Sequence, residues 1–465
     1  MTAFNETIQT LLQSDIPTSF KQFGTEMDAR YVEQALAETG TASIRRRKIP
    51  AQLVVWLVVG MALFRDRCIQ EIVSHLGLVL PNQREPEQTG RKVAPSAIPQ
   101  ARYRLGAEPM KRIFKETGQN WARPAADEMR WRGLSLYGVD GTTLRIADTA
   151  ENRQQFGAPS SRRAQAGYPQ VRLVALMALR SHLIATAAFG PYRGKQTGEL
   201  SLARQLWKDV LDNSLCILDK LFLSYADLYQ VSGQDGRNRH WLVPAKSNLK
   251  WTKVRRLGRN DELVQVQLSA KARSENPELP ESMVVRAIRY QMKGFRPRTL
   301  LTTLLDPEAY PADELAALYH ERWELELGYD EIKTHMLERE EALRSKKPEG
   351  VKQEIWGILL AYNLVRCKML EVARSFDLEP NRISFRHSLQ LIRVFCLVEA
   401  WTAPPTKLPR RLEELGEMVS SLLVLPERRP ERRYERSVKI KMSNFKRNTG
   451  RHASKSTKRP GNSLN

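Results

Sequence analysis

The stretch L-S-L-Y-G-V-D-G, Leu134 to Gly141, decides how the rest of the chain is read. Leu134 to Val139 is short and apolar, and Asp140-Gly141 is a turn-forming pair, so the segment reads as a β-strand that ends at an aspartate. Similar runs recur downstream. Val171 to Leu179 and Leu183 to Phe189 read as two more strands, joined through Arg180-Ser181-His182 as a hairpin. Gly198 to Val210 has helical spacing, and Ser214 to Leu218 is a short buried strand ending at Asp219. Ser224 to Val231 is a helix, and Trp241 to Pro244 a fifth strand.

Three strands, helix, strand, helix, strand is the order of a ribonuclease-H-like α/β core, expected here over residues 126–410. In that fold the acids at the ends of the first and fourth strands, Asp140 and Asp219, stand side by side on neighbouring strands. Residues 246–306 have another character. Glu262 to Leu268, Met283 to Tyr290 and Thr299 to Leu305 are strand-like, with turns at Gly258-Arg-Asn and Pro277 to Pro280, so a β-rich subdomain inserted into the core is expected. Its Lys250, Lys253, Arg255 and Arg256 are a basic strand face within reach of a polyanion. Two long helices, an amphipathic one over Lys352 to Ala373 and another over Ser384 to Trp401, close the core.

Past the insert, Y-H-E-R-W-E-L-E-L-G-Y-D-E-I-K runs from Tyr319 to Lys333. At about 100° per residue, Tyr319, Arg322, Glu326 and Lys333 share one stripe of a helix. Trp323 and Tyr329 border it, Glu321, Glu324 and Glu331 point elsewhere, and Asp330 is the other carboxylate nearby. A carboxylate among Arg, Lys and a phenol suits a metal ion facing a phosphodiester, the acid holding the cation and the bases the phosphate. The same spacing makes i,i+4 ion pairs on a solvated face. Spacing alone leaves both readings open.

The 465 residues carry a formal charge of +22, an excess that points to a polyanionic partner, nucleic acid before anionic membrane. The longest apolar run, Leu53 to Phe64, is too short to span a bilayer. The N-terminus lacks the basic start and apolar core of a secretory signal. Cys68, Cys216, Cys367 and Cys396 lie singly and the histidines are scattered, which argues against zinc and leaves a hard ion on carboxylates. Residues 1–125 read as helical: Met27 to Glu38, an apolar helix Ala51 to Phe64 opened by Pro50 after the basic run Arg45-Arg46-Arg47-Lys48, and Cys68 to Leu76. A further helix starts at Ser96 and carries Gln100, Arg102, Tyr103 and Arg104 to Gly106. The last two helices are either a DNA-reading pair or part of a small bundle with a basic face. From Pro426 to Asn465 there are 13 Lys or Arg against 3 Glu, a net +10 with few apolar groups, the composition of a disordered DNA-contacting arm.

The run Y-x2-R-x3-E-x6-K, met here as Tyr319, Arg322, Glu326 and Lys333 without a gap, resembles the signature of DDE transposases of the insertion sequence 4 family. V-D-G at Val139 to Gly141 and R-R-R-K-x-P at Arg45 to Pro50 are similar to the same family. So are L-R-S-K-K-P-E at Leu343 to Glu349 and L-L-A-Y-N-L-V-R at Leu359 to Arg366. The resemblance implies a cut-and-paste DNA transposase acting on double-stranded DNA, with a helical N-terminal domain (1–125) that binds terminal inverted repeats through residues such as Arg45, Arg46, Arg47, Lys48, Arg102 and Arg104. It implies Asp140, Asp219 and Glu326 as catalytic, metal-holding carboxylates for two Mg²⁺, with Mn²⁺ able to substitute. Tyr319, Arg322 and Lys333 would grip phosphates, and Trp323 is either a platform for an extruded base or a core residue. A homodimeric synaptic complex follows from the same resemblance, while the isolated cysteines, the missing secretory signal and the short apolar run give the expectation of a cytoplasmic, nucleoid-associated location with no membrane partner. One position departs from the pattern: the family usually has Gly two residues after the second Asp, and here Leu221 stands there, before Phe222. Two rivals follow, a DNA-binding repressor with a decayed site and a metal-dependent nuclease that cuts without joining.

Overall fold

The computed structural model describes residues 16–42, 49–76, 94–159, 167–232, 236–292, 296–338, 342–402, 408–422 and 424–425. Arg45, Arg46, Arg47, Lys48 and the basic stretch from Pro426 lie outside the described residues. Among the described residues a 3₁₀ helix at Thr18–Phe23 comes first, followed by the α-helices α1 (Ala29–Glu38), α2 (Ala51–Leu63), α3 (Ile69–His75), α4 (Ala97–Leu105) and α5 (Glu108–Glu128). The core follows as β1 (Ser135–Arg145), α6 (Ala150–Phe156), β2 (Gln170–Ala178), β3 (Ile184–Pro191), α7 (Glu199–Ala203), β4 (Ser214–Leu218), α8 (Tyr225–Ser232) and β5 (Arg239–Pro244). Next are β6 (Thr252–Gly258), β7 (Asp261–Gln267), α9 (Ala270–Glu275), β8 (Ser282–Tyr290), β9 (Arg298–Thr302) and α10 (Ala312–Leu318). The chain continues through α11 (Trp323–Asp330), α12 (Pro348–Ser375), α13 (Phe385–Thr402) and α14 (Leu408–Leu422).

Among the described residues, nine strands form one sheet in the order β3-β2-β1-β4-β5-β9-β8-β7-β6. β1, β4 and β5 are parallel and β2 and β3 antiparallel, which is the ribonuclease-H-like arrangement. The expected insert is not a separate layer. β9 pairs antiparallel with β5, Val243 opposite Leu301, so the added strands prolong the core sheet. β6 escapes a reading based on alternation because Thr252 to Arg256 are exposed on both faces; it is an edge strand guarded by Lys253, Arg255 and Arg256. β1 does not turn at Asp140-Gly141 either. It runs on to Arg145, paired with β2 but no longer with β4. The expected helix Gly198 to Val210 is broken into α7 and a 3₁₀ turn at Trp207–Asp209, where Trp207 is buried edge-on against Phe222.

α2 is apolar around its whole circumference, and every residue of it but Gln52 is buried. It lies against α12 so closely that a Cβ on Gly357 would stand 2.4 Å from Val58 Cγ1. α5 approaches β3 in the same way, a Cβ on Gly118 falling 2.7 Å from the Ala185 carbonyl oxygen. The N-terminal helices therefore share one hydrophobic core with the sheet. α12 corrects a further expectation. Read as amphipathic over Lys352 to Ala373, it is buried on nearly all sides, and its polar residues Gln353, Glu354, Asn363 and Arg366 are bonded inside the protein. Glu354 meets Arg65 at 2.9 Å, with both side chains sealed from water.

Candidate active site

Val139 pairs with Leu218 across the parallel strands β1 and β4, so Asp140 and Asp219 are the next residues on each. Beyond them β4 ends and β1 continues, leaving the exposed part of β1 as the floor of a groove of about 450 Å³. Asp140, Thr142 and Arg145 line the floor, and Glu326, Tyr329, Asp330 and Lys333 line the wall. The wall is not a single α-helix. Tyr319–Arg322 is a 3₁₀ turn, α11 is α-helical, and Glu331–Met336 is a π-helical turn, so one 100° stripe does not group the signature residues.

Tertiary contact groups them instead. Arg322 donates to Glu326 Oε1 at 2.7 Å, and its other terminal nitrogen lies 3.8 Å from Asp140 Oδ2. Lys333 Nζ donates to Thr142 Oγ1 on β1 at 3.1 Å. Tyr319 is buried, which pushes its phenol up, and its hydroxyl lies against Arg322. Trp323 is 55% exposed, so the core reading of that residue does not hold. Arg102 is turned inward, donating to Gln353 Oε1 and Ser345 Oγ, both at 2.9 Å, and to the Gly350 carbonyl. Its neighbours Tyr103 and Arg104 are exposed.

Burial pushes the Asp140 carboxyl up to about 6; the Gly141 amide and Arg322 oppose the rise, while the Glu199 and Asp219 carboxylates add to it. Asp219 caps a 3₁₀ turn over Lys220–Phe222, its Oδ1 accepting from the Leu221 amide at 3.1 Å. No residue of that turn has a positive φ, so glycine's freedom is not required at Leu221 and the turn forms without it. Among the described residues, no three His, Cys, Asp or Glu side chains gather tightly enough to hold a metal ion. Arg322 bridges Asp140 and Glu326 instead.

The sequence reading named Tyr329 only as bordering the stripe, and it missed Glu199, Gly138 and Gly328. Tyr329 donates to the Asp140 carbonyl at 2.6 Å and accepts from the Ala175 amide at 3.1 Å, pinning the wall to β1 and β2. Glu199 lies directly over Gly141, where a Cβ would meet its Cδ at 2.5 Å. The glycines are the signal that was available. Gly138 faces Leu325, and Gly328 faces Met177, each with 2.6 Å to a would-be Cβ, and these two positions admit the wall against the sheet.

Residues 131–364 match the family model of the transposase DDE domain, and the protein is a DDE-type transposase. Residues 17–115 match the model of the insertion element 4 transposase N-terminal region. The chain is 39% identical over 417 residues to transposase InsG for insertion sequence element IS4 of Escherichia coli (strain K12), covering 90% of this chain and 91% of that one. It is 36% identical over 234 residues to the putative transposase InsZ of the same organism, covering 50% and 74%. The chain belongs to the insertion sequence 4 family of transposases.

Proposed function

We propose that the enzyme is a cut-and-paste transposase that binds the terminal inverted repeats of its own element, cleaves the DNA at the ends and joins the 3′-hydroxyls to target DNA. The observation that carries this reading is the meeting of Asp140 and Asp219 at the end of β4, with Arg322 bridging from Asp140 to Glu326 across the groove. The donor chemistry suits a hard divalent ion, and the three carboxylates would have to draw together in place of Arg322 to hold one. The donor set is all carboxylate oxygen, and Asp140 feels burial and two acidic neighbours, a field that a cation relieves. Asp140, Asp219 and Glu326 would hold two Mg²⁺, with Mn²⁺ able to substitute. Ions held there supply an activated water or 3′-hydroxyl and stabilise the leaving oxygen.

The protein's own groups do the rest. Arg322, freed from bridging two carboxylates, presents its fork to the phosphate at the scissile bond. Lys333 reaches along β1 to a phosphate further down the groove, and buried Tyr319 holds Arg322 rather than the DNA. The exposure of Trp323 supports its use as a platform for an extruded base. Arg104 and the basic run Arg45 to Lys48 would meet the terminal repeats, and two copies would pair two ends in a synaptic dimer. A repressor with a decayed site is not favoured, because the turn at Leu221 is intact.

The test is an assay of cleavage and strand transfer on terminal DNA with Mg²⁺. Asp140→Asn, Asp219→Asn and Glu326→Gln should each abolish cleavage and keep end binding, while Asp330→Asn should still cleave. Cleavage by Glu326→Gln with loss in Asp330→Asn would move the third ligand to Asp330. Cleavage without joining by the parent would make the enzyme a nuclease.

A further inference from the structure

We propose that His182, Tyr362 and Arg366 are positioning residues that set the angle at which the wall presents Glu326 and Lys333 to the groove; the proposal rests on the catalytic reading of Glu326 above. The π-helical turn opens at Glu331, and the Leu337 amide donates to the Ile332 carbonyl five residues back at 2.9 Å. Such a turn is rarely stable alone and is held by its surroundings. The surroundings here are charged and largely shielded from water. The Glu331 carboxylate faces away from the groove, accepting from Tyr362 Oη at 2.8 Å, from Arg366 Nε at 3.0 Å and from a terminal nitrogen of Arg366.

His182 sits in the β2–β3 connection with φ +60° and is 1% exposed. Its Nε2 lies 2.9 Å from Glu324 Oε2, and its Nδ1 accepts from Arg366 at 2.5 Å. Both ring nitrogens are satisfied together when Nε2 carries the proton and donates to Glu324. One chain of hydrogen bonds thus ties Glu324 in α11 to Glu331 in the π turn, and Glu326 lies between these two anchors. Neighbouring residues complete the mould. Asn363 brackets Ile184 at the start of β3, donating to its carbonyl and accepting from its amide at 2.9 Å each. The Tyr362 hydroxyl would stand 3.3 Å from a Cβ on Gly328. The run L-L-A-Y-N-L-V-R, which the catalytic groove does not use, supplies Tyr362, Asn363 and Arg366.

Full-length protein carrying Tyr362→Phe or His182→Asn is to be compared with the parent and with Glu326→Gln in single-turnover cleavage of terminal DNA at saturating protein and Mg²⁺. Phe keeps the ring, and Asn tolerates the left-handed backbone. The amplitude counts competent molecules, and the rate constant reports how well the wall is placed. In both variants the rate constant should fall about 10–100-fold, the range for partners that orient a ligand. End-binding affinity should stay parental, and amide exchange should quicken over residues 323–336 while β1 and β4 stay protected. A parental rate constant in both variants, with or without lost amplitude, makes the cluster a fold support only and overturns the proposal. A Glu326→Gln protein that cleaves like the parent removes the catalytic reading and the positioning proposal with it. An inactive Glu326→Gln beside parental Tyr362→Phe and His182→Asn removes the positioning alone.

Discussion

The segment from Tyr319 to Met336 carries carboxylate–cation pairs on two faces. On the groove face, Glu326 pairs with Arg322 and remains 39% exposed, and Lys333 reaches Thr142. On the packed face, Glu321 pairs with Arg180, Glu324 with His182 and Glu331 with Arg366, the last two largely shielded from water. The same functional groups have opposite duties because their solvation differs. On the groove face the Glu326 carboxylate reaches water while Arg322 is 17% exposed, so water can replace Arg322 at Glu326 when a phosphate takes the cation. A buried pair that loses one member leaves an uncompensated charge, so the packed face locks geometry.

The largest effect expected is on the groove face: Glu326→Gln, or removal of divalent metal with a chelator, should abolish cleavage while the melting temperature stays near the parent's. A large drop in melting temperature for Glu326→Gln would erase the distinction between the faces. Arg366→Ala is the matching cut on the packed face. It strands Glu331 in the interior and should cost about 3–5 kcal/mol in stability, read by denaturant unfolding. A parental unfolding midpoint would show that the packed face locks nothing.

Arg322→Ala and Lys333→Ala come next. Charge-assisted bonds of roughly 1.5–3 kcal/mol each predict at least about a tenfold loss of cleavage rate, with melting almost unchanged. Arg322→Lys should rescue only in part, since a point charge lacks the bidentate fork. If both alanine variants cut and join at parental rates, the groove face is a solvated helix surface after all.

A pH titration sharpens the comparison further. Burial alone would raise the Glu331 carboxyl, but the Arg366 guanidinium and then the His182 ring beside it hold it at about 2, below its ordinary 4.5. A carboxyl depressed in the folded state stabilises fully above its unfolded value and loses that contribution as pH falls from 4.5 toward about 2. Unfolding free energy should fall across that window, and Glu331→Gln should flatten the fall. An unchanged slope in the variant would exclude Glu331 as its source. The smallest effect belongs to Arg180 and Glu321, which are each partly exposed. Glu321→Gln should shift stability by about 0.2–1 kcal/mol, and a larger shift would move this pair into the locking set.

Local sequence determined much of this protein. The five core strands begin and end close to where apolar runs predict them, except that β1 runs six residues past Val139. Asp140 and Asp219 were legible because each follows a buried run, and Arg322, Glu326 and Lys333 because their spacing is a signature. Tertiary structure decided the rest. β1 continues past Asp140 because β2 offers it hydrogen-bond partners through Arg145. The added strands join the sheet because β5 has a free edge for β9. Arg102, basic and near the N-terminus, belongs to the interior because Gln353 and Ser345, far along the chain, satisfy its guanidinium. The π turn, the tautomer of His182 and the reach of Lys333 depend in the same way on groups distant in sequence. Apolar periodicity is written into consecutive residues by the geometry of helix and strand. The partner that satisfies a buried charge is selected only when the chain has closed, because the cost of leaving it unsatisfied arises only once water is gone.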